Sequence, residues 1–287
     1  MLKFLSKSLV CLGILFVFTG CPKTNPPDPT PSPAVNTETH PWVRALCCGL
    51  TYTSPSGDYP APGCDIDCMT LSSSAKDAGV RVVSLFNADC TWENIKEQAF
   101  TLTRGMERGD MFVFTLAGHG TQLSDDNGDE VDGIDEALVL WGDPVDIIRD
   151  DRVISELLKP LWLEHPGLDI FLITDTCFSQ GNFRTFWSWI TMSPPFVLNV
   201  LRDTGAAEVP IDGGLIQIAM CREGGTSQGG PFGGTGTQAL IKVLKPGLGR
   251  LAAYYALLKE LETSKQTPQW TEMGTITDLF RNGEFWK

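Results

Sequence analysis

Five short apolar runs, separated by stretches of helical character, constrain the fold of this chain more than any other feature. The runs cover residues 43–50, 80–86, 111–116, 168–173 and 215–220. Runs of this length are typical of strands buried on both faces of a parallel sheet. Helices are predicted between and after them, at residues 68–78, 92–108 (with Thr91 as the N-cap), 152–158, 237–244 and 251–263, and residues 138–140 are expected to form a short strand. The alternation predicts an α/β domain with a mainly parallel central sheet and helices on both faces.

Two of the apolar runs end in residues that can carry chemistry. The fourth run leads into Asp175, Thr176 and Cys177, and the third leads into His119 between two glycines. Functional residues of open α/β sheets collect beyond the carboxyl ends of the strands, so neighbouring strands would bring Cys177 and His119 together. A thiol becomes nucleophilic beside a base, which histidine supplies. The alternative is a buried structural cysteine ending a core strand.

An acidic segment follows the histidine. Residues 125–136 hold seven carboxylates, namely Asp125, Asp126, Asp129, Glu130, Asp132, Asp135 and Glu136. The spacing of Asp125, Asn127 and Asp129 is like that of a calcium-binding loop, but Glu130 stands where an EF-hand needs glycine. The segment is therefore interpreted either as part of a calcium site or as a solvated acidic turn.

The first 42 residues are expected to lie outside the fold. Residues 1–20 combine Lys3 and Lys7 with an apolar stretch that is short for a membrane span and ends before Cys21, as in a bacterial lipoprotein signal. An ordinary secretory signal and an uncleaved anchor are the alternatives. Residues 21–42 are proline-rich and predict an extended tether. The expected location is the cell envelope, on the periplasmic or extracellular face, with a lipid anchor in the membrane.

Charge and cysteine content limit the partners further. A net charge of −13 disfavours nucleic acid, whose binding requires neutralised phosphates, and is compatible with basic peptides. Beyond Cys11 and Cys21 the chain has seven cysteines, an odd number that leaves at least one unpaired. For Cys64 and Cys68, disulfides or free thiols are favoured over zinc, because no second pair or histidine follows at ligand spacing.

Several motifs in order resemble the metacaspase branch of the caspase-like cysteine peptidases. They are G-C-D-I-D at 63–67, A-G-H-G-T-Q at 117–122, the acidic segment, R-D-D-R-V at 149–153, D-T-C-F-S-Q-G at 175–181, T-G-T-Q-A-L at 235–240 and Q-T-P-Q at 266–269. The resemblance covers residues 43–280 and implies a caspase-like (caspase-hemoglobinase) fold over 43–287. It implies a large-subunit-like part at 43–181, a linker at 182–212 and a small-subunit-like part at 213–287.

The resemblance also implies roles for individual residues. His119 would be the general base, Cys177 the nucleophile, and the backbone N–H of Gly120 part of the oxyanion hole. Asp67 and Asp175 would bind the Arg or Lys that precedes the cut. Candidate calcium ligands would be Asp129, Asp132, Asp150 and Asp151. The chain departs from the family pattern at Phe178, in place of a histidine, and by one extra residue before Gly181.

The expected activity is that of a monomeric cysteine endopeptidase that cleaves basic peptides or proteins after Arg or Lys. The resemblance implies that the chemistry needs no cofactor and that Ca²⁺ acts as an activator. Two alternatives remain open. One is a catalytically silent caspase-like lipoprotein that binds calcium or a partner, and the other is a Cys-His transpeptidase with a different acyl acceptor.

Overall fold

A six-stranded sheet forms the centre of the structure, a computed structural model that describes residues 42–52, 60–125, 133–142, 144–177, 212–221, 226–264 and 266–287. The strands in chain order are β1 (Val43–Gly49), β2 (Arg81–Phe86), β3 (Met111–Ala117), β4 (Gly120–Ser124), β5 (Ile134–Leu140), β6 (Asp146–Arg149), β7 (Asp169–Asp175), β8 (Gly214–Ala219), β9 (Gly229–Gly230), β10 (Gly233–Gly234) and β11 (Gln269–Gly274). The central sheet has the order β11-β8-β7-β3-β1-β2, and every neighbouring pair is parallel except β11 with β8. The prediction of a mainly parallel sheet is confirmed.

The central strands divide their side chains between two apolar cores. In β3, Phe112 and Phe114 enter one core, while Val113 enters the other. The same alternation in β7 sends Ile170 to the first core and Phe171 to the second. Since successive side chains of a strand point to opposite faces, this split requires a helical layer on each side of the sheet.

Helices supply both layers. They are α1 (Cys64–Asp77), α2 (Trp92–Thr103), α3 (Asp150–Val153), α4 (Lys159–Glu164), α5 (Thr235–Val243), α6 (Arg250–Glu260) and α7 (Asp278–Asn282), and a π-helical segment, Ile154–Leu158, joins α3 to α4. Buried side chains of α2 and α4 lie in the first core, and those of α1, α5, α6 and α7 lie in the second. The doubly covered α/β architecture is thus the predicted one.

Several helix boundaries differ from the sequence prediction. Helix α1 begins four residues earlier than expected, because Gly63 adopts a left-handed conformation (φ 93°) that turns the chain into the helix. Helix α2 begins after the Thr91 cap, as predicted, but ends at Thr103 rather than 108. Arg104 leaves helical geometry and Gly105 has φ 77°, the usual conformation of a glycine after a helix.

Two small sheets that the sequence did not predict lie beside the central one. Strands β4, β5 and β6 form an antiparallel sheet, of which only residues 138–140 were expected as a short strand. Strands β9 and β10 form a two-residue-per-strand hairpin made of glycines. No helix in the described residues is long and apolar enough to cross a membrane. The expected signal, Cys21 and the tether lie outside the described residues.

Candidate active site

The register of two neighbouring strands sets the positions of the predicted dyad. Strands β3 and β7 are parallel, and their last paired residues are Ala117 and Asp175. His119 and Cys177 therefore each lie two residues beyond the same rung of the ladder. The two segments that follow β3 and β7 remain close beyond that rung, because the N–H of Gly118 donates to the carbonyl of Asp175 at 3.3 Å. In the described fold, the imidazole of His119 and the thiol of Cys177 lie at the same edge of the sheet, as predicted.

A cleft of about 190 Å³ opens at this edge. Both His119 and Cys177 border it, together with the predicted acids Asp67 and Asp175 and a second thiol, Cys64. Its remaining walls come from Pro60, Ala61, Pro62, Gly118, Ser227, Gln228, Gly229 and Gly234. An imidazole, two thiols and two carboxylates thus border one small space.

Gly120 lies so close to Cys177 that the position has no room for a side chain. A Cβ added to Gly120 would lie 2.1 Å from the carbonyl oxygen of Cys177. Because a contact that short with backbone is not tolerated, any side chain here would push β4 away from Cys177. The glycine lets the backbone that follows His119 lie next to the backbone of Cys177.

Asp67 is held in the first turn of α1 and points at the glycine hairpin. Its two carboxylate oxygens accept the N–H of Gly234 at 2.9 and 2.8 Å, and Oδ1 also accepts from the side chain of Gln238 at 3.5 Å. Only 1% of the residue is exposed. The charge of Asp67 is thus buried against neutral donors.

Asp175, at the end of β7, is bound by the C-terminal part of the chain. The backbone N–H and the hydroxyl of Thr237 both donate to Oδ2, at 2.9 and 2.8 Å. The hydroxyl of Ser227 donates to Oδ1, and the side-chain amide of Gln266 donates to that hydroxyl at 3.0 Å. These donors orient the carboxylate but bring no positive charge.

The electrostatics of the two acids favour a cation in the cleft. Burial, and then the charge of Asp175, raises the pKa of Asp67 to about 7, against the opposing hydrogen bond from Gly234. Burial also raises the pKa of Asp175, and the donors Ser227 and Thr237 oppose the rise. In the part of the chain that the structure describes, neither carboxylate forms a salt bridge. A guanidinium or ammonium entering the cleft would supply the missing countercharge.

A separate acidic cluster lies on the small antiparallel sheet. Ligand atoms of Asp135, Asp150 and Asp151 lie within 4.8 Å of one another. Asp135, on β5, is 1% exposed, and its Oδ1 has no hydrogen-bond partner in the described residues. Its Oδ2 forms an ion pair with Arg149. The structure therefore joins the predicted Asp150 and Asp151 to a third acid that was not among the predicted ligands.

Several other residues named in the sequence analysis fall outside the described ranges. Asp129 and Asp132, predicted as metal ligands, lie outside the described residues, as do Phe178 and Gly181. The seven cysteines that the structure describes are all free thiols, so no disulfide links Cys64 to Cys68 or any other pair among them. In the described residues, the cluster whose ligand atoms lie close enough to hold a metal ion consists of Asp135, Asp150 and Asp151, and it contains no cysteine.

Sequence reasoning missed the residues that hold the predicted ones. Ser227, Thr237 and Gly234 bind the two acids, and Tyr52 contacts His119 through its ring and its hydroxyl. All four lie far from their partners along the chain. The nearest signal was the T-G-T-Q motif at 235–238, which contains Thr237.

Part of the chain is similar in sequence to known proteins. Residues 43–184 match the family described as Metacaspase, peptidase C14 domain. Metacaspase-1 of Arabidopsis thaliana is 31% identical over 169 residues, 54% of this chain and 42% of its own length. Metacaspase-2 of the same organism is 30% identical over 153 residues, 49% of this chain and 35% of its own length. The chain thus spans about a third to two fifths of the length of these curated relatives.

The fold has a counterpart among solved structures. The crystal structure of a protein from Geobacter sulfurreducens aligns with a TM-score of 0.64 at 23% identity, covering 86% of this chain and 98% of that one. At this identity the likeness concerns the fold alone. The mainly parallel sheet covered by helices and the match over residues 43–184 show a caspase-like fold, and the matched segment is similar to the peptidase C14 domain of metacaspases.

Proposed function

We propose that this chain is a cysteine endopeptidase that cleaves peptide bonds after Arg or Lys. The observation that carries the proposal is the single cleft bordered by Cys177, His119, Asp67 and Asp175. A thiol beside an imidazole is the arrangement that nucleophilic acyl transfer needs. Two buried carboxylates without a countercharge are what a cationic side chain needs. The two requirements occur here within one small space.

The reaction proceeds in two halves. His119 takes the proton of the Cys177 thiol, and the sulfur attacks the scissile carbonyl to form a C–S bond. The C–N bond then breaks, and the proton passes from His119 to the leaving amine. A water molecule, deprotonated by His119, attacks the thioester and releases the acid and the free thiol. The N–H groups of Gly120 and Cys177 are proposed to stabilise the oxyanion, and the closeness of Gly120 to Cys177 supports this role.

Specificity follows from the two acids at the cleft. A guanidinium that enters it meets the carboxylates of Asp67 and Asp175, whose oxygens are already oriented by Gly234 and Thr237. A pre-oriented carboxylate gives more affinity than a mobile one, because less ordering occurs on binding. An acidic side chain at the same place would add a third buried negative charge.

The proposal is tested with short fluorogenic peptides that end in Arg, Lys or Asp. We expect hydrolysis of the Arg and Lys peptides, none of the Asp peptide, and loss of activity in Cys177→Ala with an unchanged melting temperature. Asp67→Asn should lower kcat/KM for Arg at least tenfold, since a charge-assisted contact is lost. Asp65→Asn removes the same charge two residues away in α1 and outside the cleft, and serves as the matched control. Undiminished turnover in Cys177→Ala would refute the proposal.

We further propose that calcium activates the enzyme by binding Asp135, Asp150 and Asp151. Carboxylate oxygens are the ligands that Ca²⁺ prefers, at about 2.3–2.6 Å, so oxygens around one ion lie up to roughly 5 Å apart. The observed grouping within 4.8 Å fits that limit. The orphaned Oδ1 of buried Asp135 also supports a cation here. Asp129 and Asp132 remain proposed additional ligands from the acidic segment.

Binding is tested apart from catalysis by terbium luminescence or calorimetry with Ca²⁺. We expect Asp151→Asn, at the less buried of the three acids, to weaken binding by tenfold or more while the fold is retained. Asp146→Asn, an acid on β6 outside the cluster, is the control. Equal affinity in Asp151→Asn would remove the site without affecting the dyad.

Export and anchoring are proposed from the N-terminal sequence. Residues 1–20 act as a lipoprotein signal, Cys21 carries the lipid, and residues 21–42 hold a monomeric domain at the cell envelope. Mass spectrometry of the membrane fraction should find a lipid-modified peptide beginning at Cys21. A soluble protein with Met1 intact would contradict this proposal.

A further inference from the structure

Tyr52 contacts His119 with both parts of its side chain. The two rings are stacked, with centroids 4.8 Å apart and planes inclined by 25°. Tyr52 follows β1 and is 6% exposed, so its ring fills the space behind the imidazole and excludes water from that face. An aromatic face stacked against an imidazole restricts the rotation of the imidazole ring.

The Tyr52 hydroxyl also fixes the backbone of the histidine. It accepts the N–H of His119 at 2.9 Å and donates to the carbonyl of Val139 at 2.6 Å. The N–H of Val139 in turn donates to the carbonyl of His119 at 3.1 Å. The three residues therefore form a closed ring of hydrogen bonds, in which both peptide groups of His119 are held.

The backbone at Tyr52 is itself unusual. In the described ranges, the non-glycine residues with positive φ are Tyr52 (52°) and Asn87 (44°). The two are connected, because Oδ1 of Asn87 accepts the N–H of Tyr52 at 3.2 Å and the N–H of Thr51 at 2.8 Å. Such conformations persist where surrounding contacts impose them, and they collect at functional sites. Here the contacts impose the conformation that brings Tyr52 onto His119.

Gly118 completes the arrangement. A Cβ at this position would lie 2.8 Å from the Tyr52 hydroxyl. Because alanine could not be accommodated without moving that hydroxyl, the glycine before the histidine makes room for Tyr52. The glycine after it, Gly120, makes room for Cys177. The two glycines of the motif thus make room for two different neighbours of His119.

We propose that Tyr52 is a positioning residue for the dyad, which holds the plane of the His119 imidazole in the orientation that proton transfer from Cys177 requires. This inference rests on the proposed roles of His119 and Cys177. In this proposal the Tyr52 ring orients the imidazole of His119, and the Tyr52 hydroxyl positions the backbone of His119. Misplacement of a catalytic group by about 1 Å costs up to roughly 100-fold in rate, so the contribution is measurable.

The test uses the full chain and a readout that needs no substrate. The alkylation rate of Cys177 by iodoacetamide is followed by peptide mass spectrometry, alongside kcat and KM for an Arg peptide. In Tyr52→Leu we expect alkylation and kcat to fall about 10- to 100-fold, with KM changed less than about threefold. Tyr52→Phe keeps the stacked ring and should recover most of the alkylation rate. His119→Ala sets the lower limit.

The control separates positioning from general destabilisation. Tyr254→Leu removes a partly buried tyrosine of α6 that packs on Trp270, far from the cleft lining. It should leave Cys177 alkylation unchanged even if the melting temperature falls. If Tyr52→Leu does not fold, Tyr52→Met fills the space and carries the same expectation. Wild-type alkylation in a folded Leu or Met variant would overturn the proposal, and equal losses in the Phe and Leu variants would overturn the role of the stack.

Failure of the proposed function gives a different result. If the wild-type chain cleaves no basic peptide but His119→Ala still slows Cys177 alkylation, the substrate assignment is wrong and the Tyr52 test remains valid. If His119→Ala leaves alkylation unchanged, the dyad itself is refuted, and the inference falls with it.

Discussion

Asp175 and Thr237 are joined by two hydrogen bonds to a single carboxylate oxygen, one from the backbone N–H and one from the hydroxyl of Thr237. The bonds connect the strand that carries Cys177 to the first turns of α5, 62 residues later in the chain. The acid that is proposed to select the substrate is therefore oriented by the C-terminal part of the domain. The proposed specificity and the packing of that part against β7 therefore share one contact.

Removal of the Thr237 hydroxyl should weaken binding of basic substrates. Thr237→Val keeps the side-chain shape and the backbone donor but loses one hydrogen bond to the Asp175 carboxylate. Because that bond opposes the rise in the Asp175 pKa, its loss should raise this pKa further and favour the neutral acid. We expect KM for an Arg peptide to increase about three- to tenfold with kcat little changed. An unchanged KM would show that Thr237 does not hold the acid in the working enzyme.

Binding of basic substrates should depend on pH through Asp67. Its pKa of about 7 in the free cleft means that the carboxyl is increasingly protonated as the pH falls below 7. Only the ionised acid pairs with a guanidinium, so 1/KM for Arg peptides should fall about tenfold for each unit below 7. Asp67→Asn should abolish this limb of the profile, whereas Asp65→Asn should retain it. A wild-type profile that is flat from pH 5 to 8 would contradict the assignment.

Asp67 should also lower the free energy of unfolding of the substrate-free protein. Folding raises the pKa of Asp67 from 3.8 to about 7, so the folded state resists ionisation that the unfolded chain undergoes freely. The cost is absent below pH 3.8, grows between 3.8 and 7, and is constant above, where it amounts to roughly 4 kcal/mol. Thermal melts should therefore show Asp67→Asn more stable than wild type at pH 8, with the gain vanishing near pH 4. A gain independent of pH would have another cause.

Arg149 should compete with calcium for Asp135. Its guanidinium forms an ion pair with that buried carboxylate and also donates to the carbonyl of Ser124 at 3.1 Å. A divalent ion must displace or share this contact, so Arg149→Gln should tighten Ca²⁺ binding by about three- to tenfold in calorimetry. Arg152→Gln, which instead removes a pair with Glu156, is the matched control. Weaker binding in Arg149→Gln would indicate that the arginine organises the site.

The juxtaposition of His119 and Cys177 at one sheet edge was predictable because its signals are local. Each apolar run ends abruptly in residues that carry chemistry, and parallel pairing brings such ends together whatever the intervening chain does. The first-turn position of Asp67 was hidden, since the helix prediction began at residue 68 and did not use the left-handed turn at Gly63. The sequence shows a glycine there, but the conformation follows from the hairpin packed against it.

The supporting residues were not predictable for a different reason. Ser227 and Thr237 bind Asp175 across 52 and 62 residues, and Tyr52 binds His119 across 67. No periodicity connects positions so far apart, and each of these residue types is common in loops and helices. Strand β5 was predicted only in its last three residues, because the acids at its start resemble a solvated turn until Asp135 is found buried.

The shared rung of β3 and β7 has a consequence for how this domain can change. Since His119 and Cys177 each follow that rung by two residues, their spacing is inherited from backbone pairing rather than from loop length. Changes of loop length outside the two strands do not alter the pairing at this rung. Deletion of one residue within β7 would turn Cys177 to the other face of the sheet. The relative placement of His119 and Cys177 is therefore insensitive to loop length and sensitive to a single-residue slip within either strand.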